Sequence, residues 1–192
     1  MHSKWILLAV FVVAIVLRIV GLEHQSFSMD ECLEQETAEM TIDQIVWAPN
    51  SFPPLYHLLL KAWLAVETCS IAARTFSLLT SLVSVWLTWK LAKEAANEQV
   101  ALIVAAIVAT SPFHIYYSQQ GRGYMLLILL ATMSMYSGLR LMREPTTWDR
   151  MLFVLAGVAG GYTHYYFAVV LVAIGIGILL HNGTRFFATQ VL

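Results

Sequence analysis

Apolar stretches long enough to cross a membrane recur along this chain and set the terms of its folding. Trp5–Leu22, Ile71–Trp89, Gln99–Tyr116 and Gly123–Leu139 each approach that length, and Met151–Leu180 exceeds it; a helix needs about 20 apolar residues to cross the hydrocarbon core. With 59% hydrophobic and 12% charged residues, the composition excludes a water-soluble domain and fits an integral membrane protein. No repeat, low-complexity tract or polar linker divides the chain. The expectation is one all-α domain over 1–192, a polytopic membrane helix bundle.

Charge sets the topology. Lys4 precedes the first span, Lys90 and Lys93 follow the second, Arg140, Arg143 and Arg150 follow the fourth, and Arg185 follows the last. Positive residues gather on the cytoplasmic side, which places the N-terminus inside and residues 23–70 in an external loop. Arg18 interrupts the first apolar run and no small-x-small cleavage site follows it, so the run reads as an uncleaved signal anchor. Pro53–Val66 must then stay on the outer surface; as a helix it reaches about 21 Å, too short for the core. Pro53-Pro54 suits its first turn, where amide protons are unsatisfied anyway. Met151–Leu180 makes either one overlong helix or two short ones meeting at Gly160-Gly161-Tyr162-Thr163-His164-Tyr165-Tyr166. The glycines and the polar-aromatic cluster favour a break. The expected spans are 5–22, 71–89, 99–116, 123–139, 151–162 and 166–180.

Residues 19 to 60 hold no lysine or arginine but carry seven of the twelve carboxylates. Asp30-Glu31 heads this stretch just beyond the first span, where chemistry on a lipid-linked substrate would be placed. Ala38, Ile42, Ile45 and Val46 share a helical face, and Glu34, Glu36, Glu39 and Asp43 read as the solvated face opposite. Four cations break the inside rule: Arg18, Lys61, Arg74 and Arg122. Lys61 reads equally as a snorkelling side chain. Arg74 and Arg122 each begin a helix that starts on the outer side, and guanidinium groups match phosphate oxygens; a structural ion pair with Asp30 or Glu31 is the alternative. Phe113, His114, Tyr116 and Tyr117, followed by Ser118-Gln119-Gln120-Gly121-Arg122-Gly123-Tyr124, suit either an interfacial aromatic belt or sugar stacking. Cys32 and Cys69 both fall outside, either as free thiols or as a disulfide. The external carboxylates could hold Mg²⁺ or Mn²⁺, but no spacing demands a metal and no ligand set is assigned.

Several of these segments together resemble a family. Arg18-Ile19-Val20-Gly21-Leu22, Ser26-Phe27-Ser28-Met29-Asp30-Glu31, Pro53-Pro54-Leu55-Tyr56, Ala73-Arg74-Thr75-Phe76-Ser77, Ser111-Pro112-Phe113 through Tyr124, and Tyr162-Thr163-His164-Tyr165 look like the GT-C glycosyltransferases of family 39, the protein O-mannosyltransferase and aminoarabinose transferase-like group. The matches run in order across roughly residues 5 to 185. The resemblance implies a GT-C-like N-terminal transmembrane module whose first external loop carries short amphipathic interfacial helices. It implies an inverting glycosyltransferase moving a sugar from a polyprenyl-phosphate donor to an external glycan, lipid or protein acceptor. Asp30 would be the catalytic carboxylate with Glu31 beside it, and Arg74, Arg122 and Lys61 would hold the donor phosphate. Tyr56, His57, Tyr117, Gln119, Tyr124, His164 and Tyr165 would line the sugar and lipid. The chain departs from the family pattern at Phe52, where histidine is usual, and at Gln120, where glutamate is usual. It matches the N-terminal catalytic half of longer relatives, so a second membrane chain supplying further helices is an expected partner; nucleic acid is not. The implied location is a bacterial or archaeal cell membrane with the active site on the outer face. The alternative is a non-catalytic or truncated membrane subunit that binds lipid phosphate or a partner helix bundle.

Overall fold

The computed structural model describes residues 2–23, 26–47, 53–67, 71–143 and 145–191; Phe52 and Cys69 lie outside them. Among the described residues ten helices and no strand are formed, the expected all-α bundle. In chain order these are α1 (His2–Ile19), α2 (Met29–Glu39), α3 (Ile42–Trp47), α4 (Leu55–Leu64) and α5 (Ala72–Ala95), then α6 (Glu98–Thr110), α7 (Pro112–Ser118), α8 (Tyr124–Leu141), α9 (Thr147–Gly161) and α10 (Phe167–Val191). Helices α5 and α8 are each long and apolar enough to cross a membrane, and α6 with α7 passes as one span bent by 58°. Helix α1 exposes Trp5, Leu8, Val12, Val16 and Ile19, a surface suited to lipid.

Helix α5 is the hub, packing on α8 and α6 and touching α1, α4 and α7. Lipid tails are as apolar as leucine, so helices in a membrane associate by close van der Waals packing at small residues. Ala73, Ser77, Ser81 and Ser84 supply that surface on α5, Ala101, Ala105 and Ala109 on α6, and Ser134, Ser137 and Gly138 on α8. Most of the hydroxyls are bonded: Ser81, Ser84 and Ser137 donate back to carbonyls of their own helices and Ser77 donates to Arg122 O, while Ser134 Oγ has no hydrogen-bond partner.

The bend between α6 and α7 has a local cause. Pro112 stands in the first turn of α7, and Ser111 caps that helix with its hydroxyl. Breaking the ladder here leaves the carbonyl of Ala109 without its helical donor, and Arg18 fills the gap. Its Nη1 donates to Ala109 O and Ala14 O, both at 2.9 Å, its Nε to Ser81 Oγ at 3.1 Å, and its Nη2 to His114 Nδ1 at 2.9 Å. The fully buried Arg18 thus sits where the carbonyl ends of α1 and α6 converge, the pole of a helix that favours a cation.

The acidic stretch folds as two helices rather than one. Thr41 and Gln44 make a reciprocal cap that restarts the chain after Met40. Ala38 and Ile45 are buried, but Ile42 and Val46 face outward, so the four do not share the expected single face. Helix α4 buries Tyr56, His57 and Leu60 against α2, α5 and α8. Its first free amide, Leu55 N, donates to Tyr162 O at 2.9 Å, tying α4 to the end of α9. The chain breaks between Gly161 and Phe167, bringing Thr163 and His164 over the mouth of the bundle.

Candidate active site

Helix α2 begins with Ser28, whose hydroxyl accepts from Glu31 N while Glu31 Oε2 accepts from Ser28 N. This capping box satisfies two otherwise orphaned amides and turns Glu31 inward. There Arg74 meets it bidentately, Nε to Oε1 at 2.8 Å and Nη2 to Oε2 at 2.9 Å, with both side chains 1% exposed. Gly121 N donates to the same Oε1 at 2.8 Å. The remaining guanidinium edge donates to Leu22 O and Ser26 O, and the Phe27 ring lies 4.4 Å from Arg74 Cζ. Burial alone would raise the Glu31 pKa, but hydrogen bonds from Arg74, Gly121 and Ser28 and the Arg74 charge outweigh it and hold the group at about 2.

This arrangement is the structural ion pair that the sequence left open as the alternative for Arg74. Both oxygens of Glu31 are committed to donors, which leaves no lone pair for general-base work. Arg74 is enclosed and committed, so it knits α2 and the α7–α8 turn to α5 instead of meeting a phosphate. Lys61 stands apart from this pair: its Nζ donates to the carbonyls of Ala38, Glu39 and Met40, closing the C-terminus of α2.

Asp30 and Arg122 are brought together. Arg122 Nη1 donates to Asp30 Oδ2 at 2.8 Å, with Asp30 59% exposed and Arg122 22% exposed. The Tyr124 ring lies 4.9 Å from Arg122 Cζ. Behind this pair Glu34, an expected solvated residue, is 12% exposed; its Oε2 lies 2.6 Å from His57 Nε2 and its Oε1 3.8 Å from Arg122 Nε. Sequence reasoning missed Glu34, although its spacing three residues after Glu31 and four before Ala38 places it on the buried face.

A cleft of about 20 Å³ runs between these groups, lined by Glu34, Tyr56, His57, Arg122, Gly123, Tyr124, Thr163 and His164. Of the expected lining residues, Tyr56, His57, Tyr124 and His164 are present. Gln119 is not: its amide donates to the carbonyls of Leu17, Arg18 and Val20 and caps α1. Tyr117 packs edge-on between Phe113, Tyr116 and Tyr124, behind the cleft. Tyr165 faces a neighbouring apolar groove, formed also by Pro53, Pro54, Gly157, Val158, Gly161, Tyr162 and Leu171. Cys32 is exposed and free. Among the described residues no group of three or more His, Cys, Asp or Glu side chains is placed to hold a metal ion.

A family profile described as dolichyl-phosphate-mannose-protein mannosyltransferase matches residues 51–192. The chain belongs to that family. It is therefore a membrane glycosyltransferase of the GT-C type. No curated protein and no solved structure gives a significant match. The family match begins downstream of α2, so the place of Asp30 and Glu34 in this transferase rests on geometry: two side chains from outside the matched region, contacting Arg122 and His57 within it.

Proposed function

We propose that this transferase moves a sugar from a polyprenyl-phosphate donor to an acceptor hydroxyl at the outer membrane surface, by a single displacement that inverts the anomeric carbon. The observation that carries the reading is the 2.8 Å contact between Asp30 and Arg122 at the mouth of the cleft, a carboxylate and a guanidinium at one point, which supports a base beside a phosphate-binding cation. An acceptor oxygen attacking the anomeric carbon must lose its proton, and a solvent-reached carboxylate takes it. As the glycosidic bond breaks, negative charge grows on the departing lipid phosphate, where a fixed guanidinium lowers the barrier. The apolar groove beside the cleft supports a lipid-linked donor.

The outward placement follows from charge. Lys90, Lys93, Arg140 and Arg143 stand at the opposite end of α5 and α8 from Asp30, the distribution of a cytoplasmic end. Asp30→Asn in membranes supplied with polyprenyl-phosphate sugar should lower transfer by about 10²- to 10⁴-fold without changing the melting profile. Arg122→Met should lower it by about 10²-fold or more. Transfer that survives Asp30→Asn unchanged would remove Asp30 as the base. A cleft that holds little more than one water favours a second reading, a subunit that binds lipid phosphate without chemistry; wild-type membranes that bind the donor yet never turn it over would establish it.

A further inference from the structure

Beneath the Asp30–Arg122 pair, the cleft wall contains a buried polar group whose bonding is half complete. His57 is 4% exposed, and its Nε2 lies 2.6 Å from Glu34 Oε2. A carboxylate can only accept, so Nε2 carries the proton, and in the neutral ring Nδ1 presents a bare lone pair. That Nδ1 is buried and has no hydrogen-bond partner. The same holds for Arg122 Nε, an N–H donor lining the same cleft. Helix α4 holds His57 Nδ1 in place by anchoring Tyr56 and Leu60 in the core on either side. The cleft therefore offers an unused acceptor at His57 Nδ1 and an unused donor at Arg122 Nε, with the Tyr56 hydroxyl, which also lines it, likewise without a hydrogen-bond partner; a ligand hydroxyl is the simple group that answers the first two.

We propose that the Glu34–His57 pair makes this cleft a recognition site for one hydroxyl of the sugar, received by His57 Nδ1, with Glu34 as the positioning residue that fixes the tautomer. In the empty protein the space fits a single water, which the sugar hydroxyl replaces on the same nitrogen. The identity of the ligand as a sugar rests on the transferase reading; the hydroxyl chemistry does not. Specificity follows, because a buried acceptor left unpaired penalises any analogue lacking that hydroxyl.

Ring-¹⁵N NMR of the full chain in lipid nanodiscs tests this, with His57 assigned by the signal lost in His57→Phe. The expected wild-type spectrum shows the neutral Nε2–H tautomer. Titration with methyl mannopyranoside, methyl glucopyranoside and their single-deoxy analogues should shift the Nδ1 resonance with at least one parent glycoside and not with its matching deoxy form. Glu34→Gln keeps the shape of the site but can donate as well as accept, so the Nδ1–H tautomer should appear and the glycoside response weaken at least about tenfold, the loss of one hydrogen bond. A wild-type ring that is Nδ1-protonated or doubly protonated, or an Nδ1 signal indifferent to every glycoside, overturns the proposal without relying on any variant. An intact response in a protein that transfers no sugar from polyprenyl phosphate would instead sink the polyprenyl-phosphate donor reading and leave the hydroxyl site standing.

Discussion

Asp30 and Glu31 leave the first turn of α2 about 100° apart, and that rotation sends one carboxylate to solvent and the other into the bundle. Because Glu31 is held at about 2 against an ordinary 4.5, its contribution to stability is fully present above about pH 4.5. It is lost as pH falls through 4.5 toward 2, where the folded state must take up the proton. Unfolding in detergent should show this as falling stability across that window, up to about 3 kcal/mol from this group, and Glu31→Gln should be less stable at pH 7 and fall less steeply over the same range, with Asp149, held at about 2 by Arg140 and Thr146, supplying part of the remaining slope. Equal slopes for both proteins would deny the clamp. Gly121→Ala belongs to the same locus: the new methyl would lie 2.9 Å from Ala73 Cβ, a rigid neighbour. We expect a loss of about 1–3 kcal/mol, measured as a lower thermal midpoint. The sequence displays both carboxylates and the two arginines that meet them, Arg74 and Arg122, and the ion-pair alternative for Arg74 was readable from charge alone. Which carboxylate turns inward was legible in the Ser28-x-x-Glu31 capping pattern; that Gly121 N would complete the enclosure depends on a contact 90 residues away in the chain, which no local pattern reveals.

At the scale of elements, the elbow between α6 and α7 and the arginine that fills it form one unit. Arg18→Met would leave the Ala109 carbonyl, Ser81 and the His114 ring without their donor inside the bundle. A loss of about 3 kcal/mol or more is expected, detectable as a lower midpoint by tryptophan fluorescence in detergent, and Arg18→Lys should recover little because one ammonium cannot reach acceptors on α1, α5, α6 and α7 together. A midpoint unmoved by Arg18→Met would mean that the elbow holds itself. The apolar segments that become α1, α5 and α8 announce themselves by length and composition. The division of the acidic stretch was also written locally, since Thr41-Ile42-Asp43-Gln44 is a capping-box pattern, but an apolar spacing that happened to run through it masked the restart. The burial of Tyr56, His57 and Leu60 on α4 was not legible, because it depends on α2 and α5 closing over them rather than on the periodicity of α4 itself.

For the whole molecule, the two ends carry different chemistry. One end gathers Asp30, Glu34, Arg122 and the aromatic turns; the other is a network in which Glu94 meets Arg140 and Arg143, Asp149 meets Arg140, and Glu98 meets Lys93. The proposed orientation gives a direct check: in a Cys69→Ser background, a membrane-impermeant maleimide added to intact cells should label the exposed Cys32. Labelling confined to inverted vesicles would turn the protein over and take the transfer reaction to the other face. The tie from Leu55 N to Tyr162 O has a consequence for substrate entry. It makes the floor and the roof of the cleft one rigid piece, while the Glu31–Arg74 clamp fastens the third wall to α5. A ligand then enters past Asp30, the exposed member of the pair at the mouth; rotation of that side chain takes picoseconds to nanoseconds, so the backbone should look the same full or empty.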